Sequence, residues 1–549
     1  MKKLLTTVLA AAILLSSLSA CGGSASSPSA SSQSTGSAAG AAAASSAPAA
    51  NSVNQSDKTL IVGLQGDPSS FNPDAMPDDW GFYVAENLYS RLVKINFNNE
   101  IIPDLAKSWE ISKDGKAYTF HLNSGVKWHD GQPCTSDDVK WTYDTIVAKK
   151  GYLSSYLQNL DKITCPDANT VVFNLKAPDA TVLSTVSFLG AFILPKHLYE
   201  NTDWTTAAPA TTKPVGTGPY KFVDYQKGVS IKMDANADYF GGAPKIGHLA
   251  YKIIPDANTA IQSLNNGELD VLGVMPPAAQ VATLAKTSGV KVVKNATSGR
   301  FYFGFNMRTE PFSNKAVRQA VSMAVNRSEV VDKAFMEAGK LAEGFYTPSI
   351  PWAFNADAKI PDYNLDAAKK LMESSGLKKD GDGNYATVTL ATFNLDPFTN
   401  IATILQAQLK QIGIKVKINT LEASAFMQLG SSGKGYDMYA MGGSVGPDPS
   451  NFAPRITKGG FMNFSGYYNP EVEKLFAQGA VTTDQTARGT IYKNIQKLVA
   501  DEVPFIPLSE DITVNVYKDY LSGMPYDESI KNTSFDEFTY VTFNKEPNQ

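Results

Sequence analysis

The apolar positions of this chain change their spacing along its length. An apolar run from Leu4 to Leu15, interrupted only by Thr6 and Thr7, stands behind the cationic start Met1-Lys2-Lys3 and is closed by small residues. At about a dozen residues it falls short of the roughly 20 needed to cross a bilayer, and it has the form of a cleaved export signal over 1–20. Thr59-Leu60-Ile61-Val62-Gly63 then reads as a first strand, left through the turn Gly66-Asp67-Pro68-Ser69-Ser70. Alternation of apolar and polar residues predicts further strands at Lys116 to Leu122 and Thr170 to Leu175, with Lys113-Asp114-Gly115 as a bounding turn.

From Phe301 the spacing becomes helical. Ala316, Val317, Ala320, Val321, Ala324 and Val325 fall on one face of a helix that Ser313 can cap. Ile401, Ile404, Leu405, Leu409 and Ile412 define a second helix ending at Gly413, and the alternating strand Ile414 to Ile418 comes at once after it, an α/β unit. Ile491, Tyr492, Ile495, Leu498 and Val499 define another helix, after which Val503 to Leu508 is extended. No internal repeat is visible.

Leu18-Ser19-Ala20-Cys21 resembles the bacterial lipobox, which implies cleavage before Cys21 and acylation of its thiol; an ordinary secretory signal with a cysteine after it is the alternative. Residues 21–57 are mostly Ser, Ala and Gly without an aromatic residue, too poor in apolar surface to offset the entropy of ordering. A flexible tether of about 36 residues has an r.m.s. span on the order of 35 Å.

The remainder of the chain, about 490 residues, exceeds one compact core and predicts two or three domains. The composition is that of a globular protein, 43% hydrophobic and 19% charged. Loss of Lys2 and Lys3 with the signal takes the net charge from −4 to −6, which does not suit nucleic acid. Cys134 and Cys165 are the remaining cysteines, open either to a disulfide or to two separate thiols.

Catalytic constellations fail their own requirements. The four histidines, His121, His129, His197 and His248, form no metal-ligand pattern, and no Gly-x-Ser-x-Gly elbow occurs. Gly216-Thr217-Gly218-Pro219-Tyr220 lacks the third glycine of a dinucleotide loop and reads as a tight turn. Asp380-Gly381-Asp382-Gly383-Asn384 begins like a calcium loop but has Tyr385 and Ala391 where Gly and Glu are needed, and reads as a hairpin turn. Neither metal nor cofactor is expected. Aromatic residues are abundant, with 27 Phe, 24 Tyr and 6 Trp. Phe71, Trp80, Tyr83, Tyr346 and Trp352 lie in turn-rich segments and are candidates for stacking on a ligand, with core packing as the alternative.

Several segments together resemble the extracellular solute-binding proteins of ABC importers, the family (family 5) that includes oligopeptide- and dipeptide-binding proteins. They are Ile102 to Trp109, Val126 to Gly131, Ser136 to Val139, Gly216 to Tyr220, Phe305-Asn306-Met307 with Val317 to Ala320, and Tyr436-Asp437 through Asp448-Pro449. The resemblance implies an α/β, type II periplasmic-binding-protein fold with a hinge between two lobes. It implies domain I at 58–92, 213–300 and 515–549, a β-rich domain II at 93–212 and domain III at 301–514, with ligand between I and III. It also implies a binding protein rather than an enzyme, lipid-anchored outside the cytoplasmic membrane through Cys21 and partnered by ABC permease subunits.

In the family's peptide binders an aspartate four residues before the Pro of the Asp-Pro or Glu-Pro pair anchors the peptide's amino terminus. Here that position is Val445, in Gly442-Gly443-Ser444-Val445-Gly446-Pro447-Asp448-Pro449. Val cannot pair with an ammonium, so either Asp448 or another acid takes over or the ligand has no free amino terminus. Gly442 and Gly443 either leave room for a bulkier ligand or form a bend. An oligopeptide or peptide-like solute is the first reading; an oligosaccharide, a metal chelate and, from another class, a secreted hydrolase are the alternatives.

Overall fold

The computed structural model describes residues 54–188, 190–443 and 446–546. The export signal, Cys21, the tether up to residue 53, Ser444 and Val445 lie outside the described residues.

Three larger sheets organise the described residues, beside two two-stranded ribbons. Strands Thr59–Leu64, His248–Ile253, Ser230–Ala235 and Tyr220–Gln226 form the first, with the initial pair parallel and the others antiparallel. The second is antiparallel and contains both alternating strands expected from the sequence, Ala117–Leu122 and Thr170–Leu175, flanked by Ala106–Ile111 and Leu160–Asp167. Tyr118, Phe120 and Leu122 face inward with Val171 and Phe173, as the period of two requires. These two sheets share one core, in which Leu60, Val84, Leu88, Phe120, Phe173 and Ile231 are all buried.

The third sheet is mixed. It runs Ile414–Leu421, Ala386–Phe393, β2 (Met438–Gly443), β1 (Val290–Phe305) and β3 (Phe505–Lys518). The α/β unit is formed as its pattern indicates. Helix Phe398–Leu409 buries Ile401, Leu405 and Leu409, tightens through Lys410–Ile412 and stops at Gly413, whose φ of 75° favours a residue without Cβ. The strand beginning at Ile414 then pairs in parallel with Ala386–Phe393.

β1 and β3 carry the chain between two cores. At one end Val290, Val292, Val514 and Val516 pack with Leu264, Leu269 and Val281. At the other, Phe303, Phe305, Ile506 and Leu508 pack with Val321, Leu390 and Leu405. The pairing of β1 with β3 breaks register between Ala296 and Arg300, between these cores. A bulge at a crossover bends the strands where two packed bodies meet.

Several local expectations change. The helix Lys315–Ala324 is capped by Asn314, whose side chain accepts from the Ala316 amide, while the Ser313 hydroxyl donates to Glu310. Asp380 to Asn384 is a turn, but it stands between helix Leu365–Glu373 and strand Ala386–Phe393, not between two strands. Gly216 and Gly218 lie against the backbone of Leu88, where a Cβ would come within 1.7 and 2.6 Å of its atoms. Cys134 and Cys165 are free thiols, so the disulfide weighed from the sequence is not formed. Cys134 is buried in the first core, and the Cys165 thiol donates to the Ser136 carbonyl.

Candidate functional site

The crossover of β1 and β3 places three residues in one row. Arg300 on β1 is opposite Gly443 at the end of β2 and opposite Glu510 on β3. Arg300 and Glu510 are each only 1% exposed. Arg300 Nη1 donates to the Gly344 carbonyl at 3.4 Å, and its guanidinium stands 5.3 Å from the Phe452 ring centre and 5.9 Å from that of Tyr346. Its Nε and Nη2 and both Glu510 carboxylate oxygens have no hydrogen-bond partner.

Burial pushes the Arg300 pKa down to about 10, against the opposing charge of Glu510. Burial raises that of Glu510, against Arg300; the Thr347 hydroxyl and Glu343 amide also favour its charge without completing hydrogen-bond geometry. Beside this row the bulge is tied down by Thr297, whose hydroxyl donates to Asp511 at 2.8 Å.

Asp448 is committed elsewhere. Arg488, reaching from helix Gln485–Glu502, grips it with two hydrogen bonds of 2.5 and 2.8 Å, both side chains being 6% exposed. Asp448 also accepts from the Ser450 amide and hydroxyl, capping the short helical turn Pro449–Arg455. Burial opposes the charge on Arg488, but Asp448 outweighs it and raises the Arg488 pKa. The charge of this carboxylate is thus met within the protein, and Asp448 lines the groove beside Trp352 as half of an ion pair.

The aromatic candidates divide. Phe71 is buried, with its ring edge-on to Phe222 and Tyr225, and Tyr346 is fully buried with its hydroxyl donating to the Pro449 carbonyl at 2.7 Å. Both are packing residues here. Tyr83 lines a cavity of about 110 Å³ with Leu64, Tyr251, Asn515 and Tyr526, and Trp80 stands 6.0 Å from it with its indole against Gly66. Trp352 lies over Arg488 and lines a groove of about 550 Å³ whose far wall includes Asn99, Tyr118 and Leu183. A second groove of about 600 Å³ shares Ser184 with it and is lined by Tyr156, Phe188, Arg455 and Phe461.

Of the two described glycines, Gly442 is small for packing rather than for a ligand. A Cβ there would meet the Phe301 ring at 2.5 Å, whereas at Gly443, with φ of 119°, it would meet nothing within 4 Å. Arg300, Glu510 and Arg488 carry no local motif. A charged residue amid the otherwise apolar and aromatic run of a strand, such as Arg300 before Phe301-Tyr302-Phe303, was the one available signal. Among the described residues no cluster of three His, Cys, Asp or Glu could hold a metal ion.

Two cores joined by shared strands, with grooves between packed bodies and polar groups at the crossover, define a two-lobed solute-binding fold. The sequence profile of bacterial extracellular solute-binding proteins, family 5, middle region, matches residues 100–464, and the chain belongs to that family. It is 32% identical to the oligopeptide-binding protein AppA of Bacillus subtilis over 473 residues, covering 82% of this chain and 86% of that protein. It is 28% identical to the dipeptide-binding protein of Escherichia coli over 500 residues, covering 86% and 92%. Among solved structures, the ABC transporter substrate-binding protein CtaP of Listeria monocytogenes superposes with a TM-score of 0.80 at 28% identity, over 89% of this chain and 99% of that one. Members of family 5 are binding proteins, and this chain is not an enzyme.

Proposed function

We propose that this protein captures an oligopeptide or peptide-like solute outside the cell and delivers it to the permease of an ABC importer. The observation that carries this reading is similarity over more than four-fifths of the chain to proteins named for oligopeptides and dipeptides. β1 and β3 supply a hinge about which two lobes can close, and closure draws its free energy from contacts that exist only when ligand bridges both. No helix among the described residues is long and apolar enough to cross a membrane.

A ligand that binds the native state raises the unfolding midpoint with the logarithm of its concentration over Kd. A tryptic peptide digest is therefore expected to raise the melting temperature and a panel of oligosaccharides to leave it unchanged; the reverse result rejects the peptide reading. Membrane retention is proposed to come from acylated Cys21. In cell fractionation, Cys21→Ala is expected in the soluble fraction, and its continued recovery with membranes rejects the anchor.

A further inference from the structure

We propose that Glu510 and Arg300 form the polar anchor of the ligand, Glu510 receiving a free α-ammonium group and Arg300 donating to the carbonyl oxygen beside it. The inference rests on the peptide reading above and deepens it, because it names the terminus selected and the residues that select it.

Directly opposed residues of antiparallel strands project from the same face of a sheet, so the 300–510 register sets a cation and an anion side by side. Their four unpartnered polar atoms are costly in a buried setting, since a charged group taken from water without a replacement partner loses its solvation uncompensated. The amino end of a peptide carries the complementary set, an ammonium with three donors next to a carbonyl acceptor. Space is present along the same row, because a side chain at Gly443 would meet nothing within 4 Å. The rings of Phe452, Tyr346 and Phe345 stand 5.3 to 6.0 Å from the guanidinium carbon, holding it in an apolar setting where charge pairing is strong.

Neighbouring acids are already engaged. Asp448 is gripped by Arg488, and Asp511 accepts from Thr297. Glu510 is the acid at this crossover whose two oxygens lack a hydrogen bond of full geometry, with only the Thr347 hydroxyl and the Glu343 amide turned toward its charge. It thereby answers the question raised by Val445, a residue that cannot meet an ammonium. The row sits at the bulge between the two cores, and on this proposal a ligand enters it as the lobes part and is enclosed as they return.

The test is a competition. The purified protein is saturated with a tryptic digest mixed with an equal amount of the same digest N-acetylated, and the bound peptides are eluted and counted by mass spectrometry. Wild type is expected to favour free amino termini by about tenfold or more, the effect of a charge-assisted hydrogen bond in a buried site. Glu510→Gln is expected to bring the ratio near one. The double variant Glu510→Gln with Arg300→Met, which leaves neither charge unpaired, is expected to do the same, and its unliganded melting curve shows whether it is folded. A wild-type ratio near one, or a Glu510→Gln protein that keeps the full preference, overturns the anchor while leaving the peptide reading intact. A wild-type protein that elutes no peptide of either kind overturns the peptide reading and the anchor with it.

Discussion

Asp448 shows how a residue's role derives from its partner rather than its type. In sequence it is a candidate to replace the anchor missing at Val445, yet Arg488, forty positions away, holds both of its oxygens. Breaking a buried ion pair from one side leaves the other charge uncompensated, which costs about 3–5 kcal/mol. Asp448→Asn is therefore expected to lower the unfolding free energy by an amount in that range, measured by denaturant titration, and a loss below about 1 kcal/mol contradicts a stabilising role for this pair. Residues whose surroundings are local were legible beforehand. Gly413 ends a helix because of its own φ, and that need was visible beside Ile412 and Ile414. Tyr346 and Phe71 were not legible, because a turn-rich neighbourhood says nothing about the Phe452 or Phe222 ring that arrives from elsewhere in the chain.

At the scale of elements, periodicity transferred well and boundaries less so. Thr170–Leu175 is a strand with the limits its alternation indicated, and helix Gln485–Glu502 contains the whole apolar stripe from Ile491 to Val499. The cap of helix Lys315–Ala324 moved by one residue because Asn314 competes with Ser313 for the same role, and an Asn side chain two residues from the Ala316 amide reaches it at 3.0 Å. β3 extends ten residues beyond the extended segment read at Val503 to Leu508. Its second half, Ile512 to Lys518, owes its form to pairing with Val290 to Ala296, more than two hundred positions earlier. Gly442 belongs here as well: its lack of a side chain is needed by Phe301 on the adjacent strand, which sequence spacing does not reveal.

At the scale of the whole molecule, the first core buries an excess of acids around two bases. Arg91 is held by Glu86 at 2.5 and 2.9 Å, and Lys94 meets Glu537 at 2.5 Å and Asp104 at 3.9 Å. Burial pushes the Asp74 carboxyl up to about 7, against the Ala191 amide and Arg91, and that of Asp104 up to about 7, chiefly against Lys94. It pushes Asp536 up to about 6, against the Tyr526 hydroxyl. An unfolded chain titrates these groups near 4, so the native state holds protons that the unfolded state has released. Their stabilising contribution is complete below about pH 4 and is lost as pH rises through about 6 to 7. The melting temperature is therefore expected to rise when pH is lowered from 8 to 5.5, and Asp74→Asn, which mimics the protonated form, is expected to flatten that slope; an unchanged slope in the variant rules Asp74 out as a source. The sequence by itself determined the succession of strand-rich and helical segments, the family and the absence of catalytic motifs, because periodicity and local spacing are properties of contiguous residues. Tertiary structure alone decided that Asp448 is engaged by Arg488, that Phe71 and Tyr346 are core, and that Arg300 faces Glu510 at the crossover. Each of those depends on side chains brought together across strands or helices, where the free energy lies in burial and pairing between distant positions.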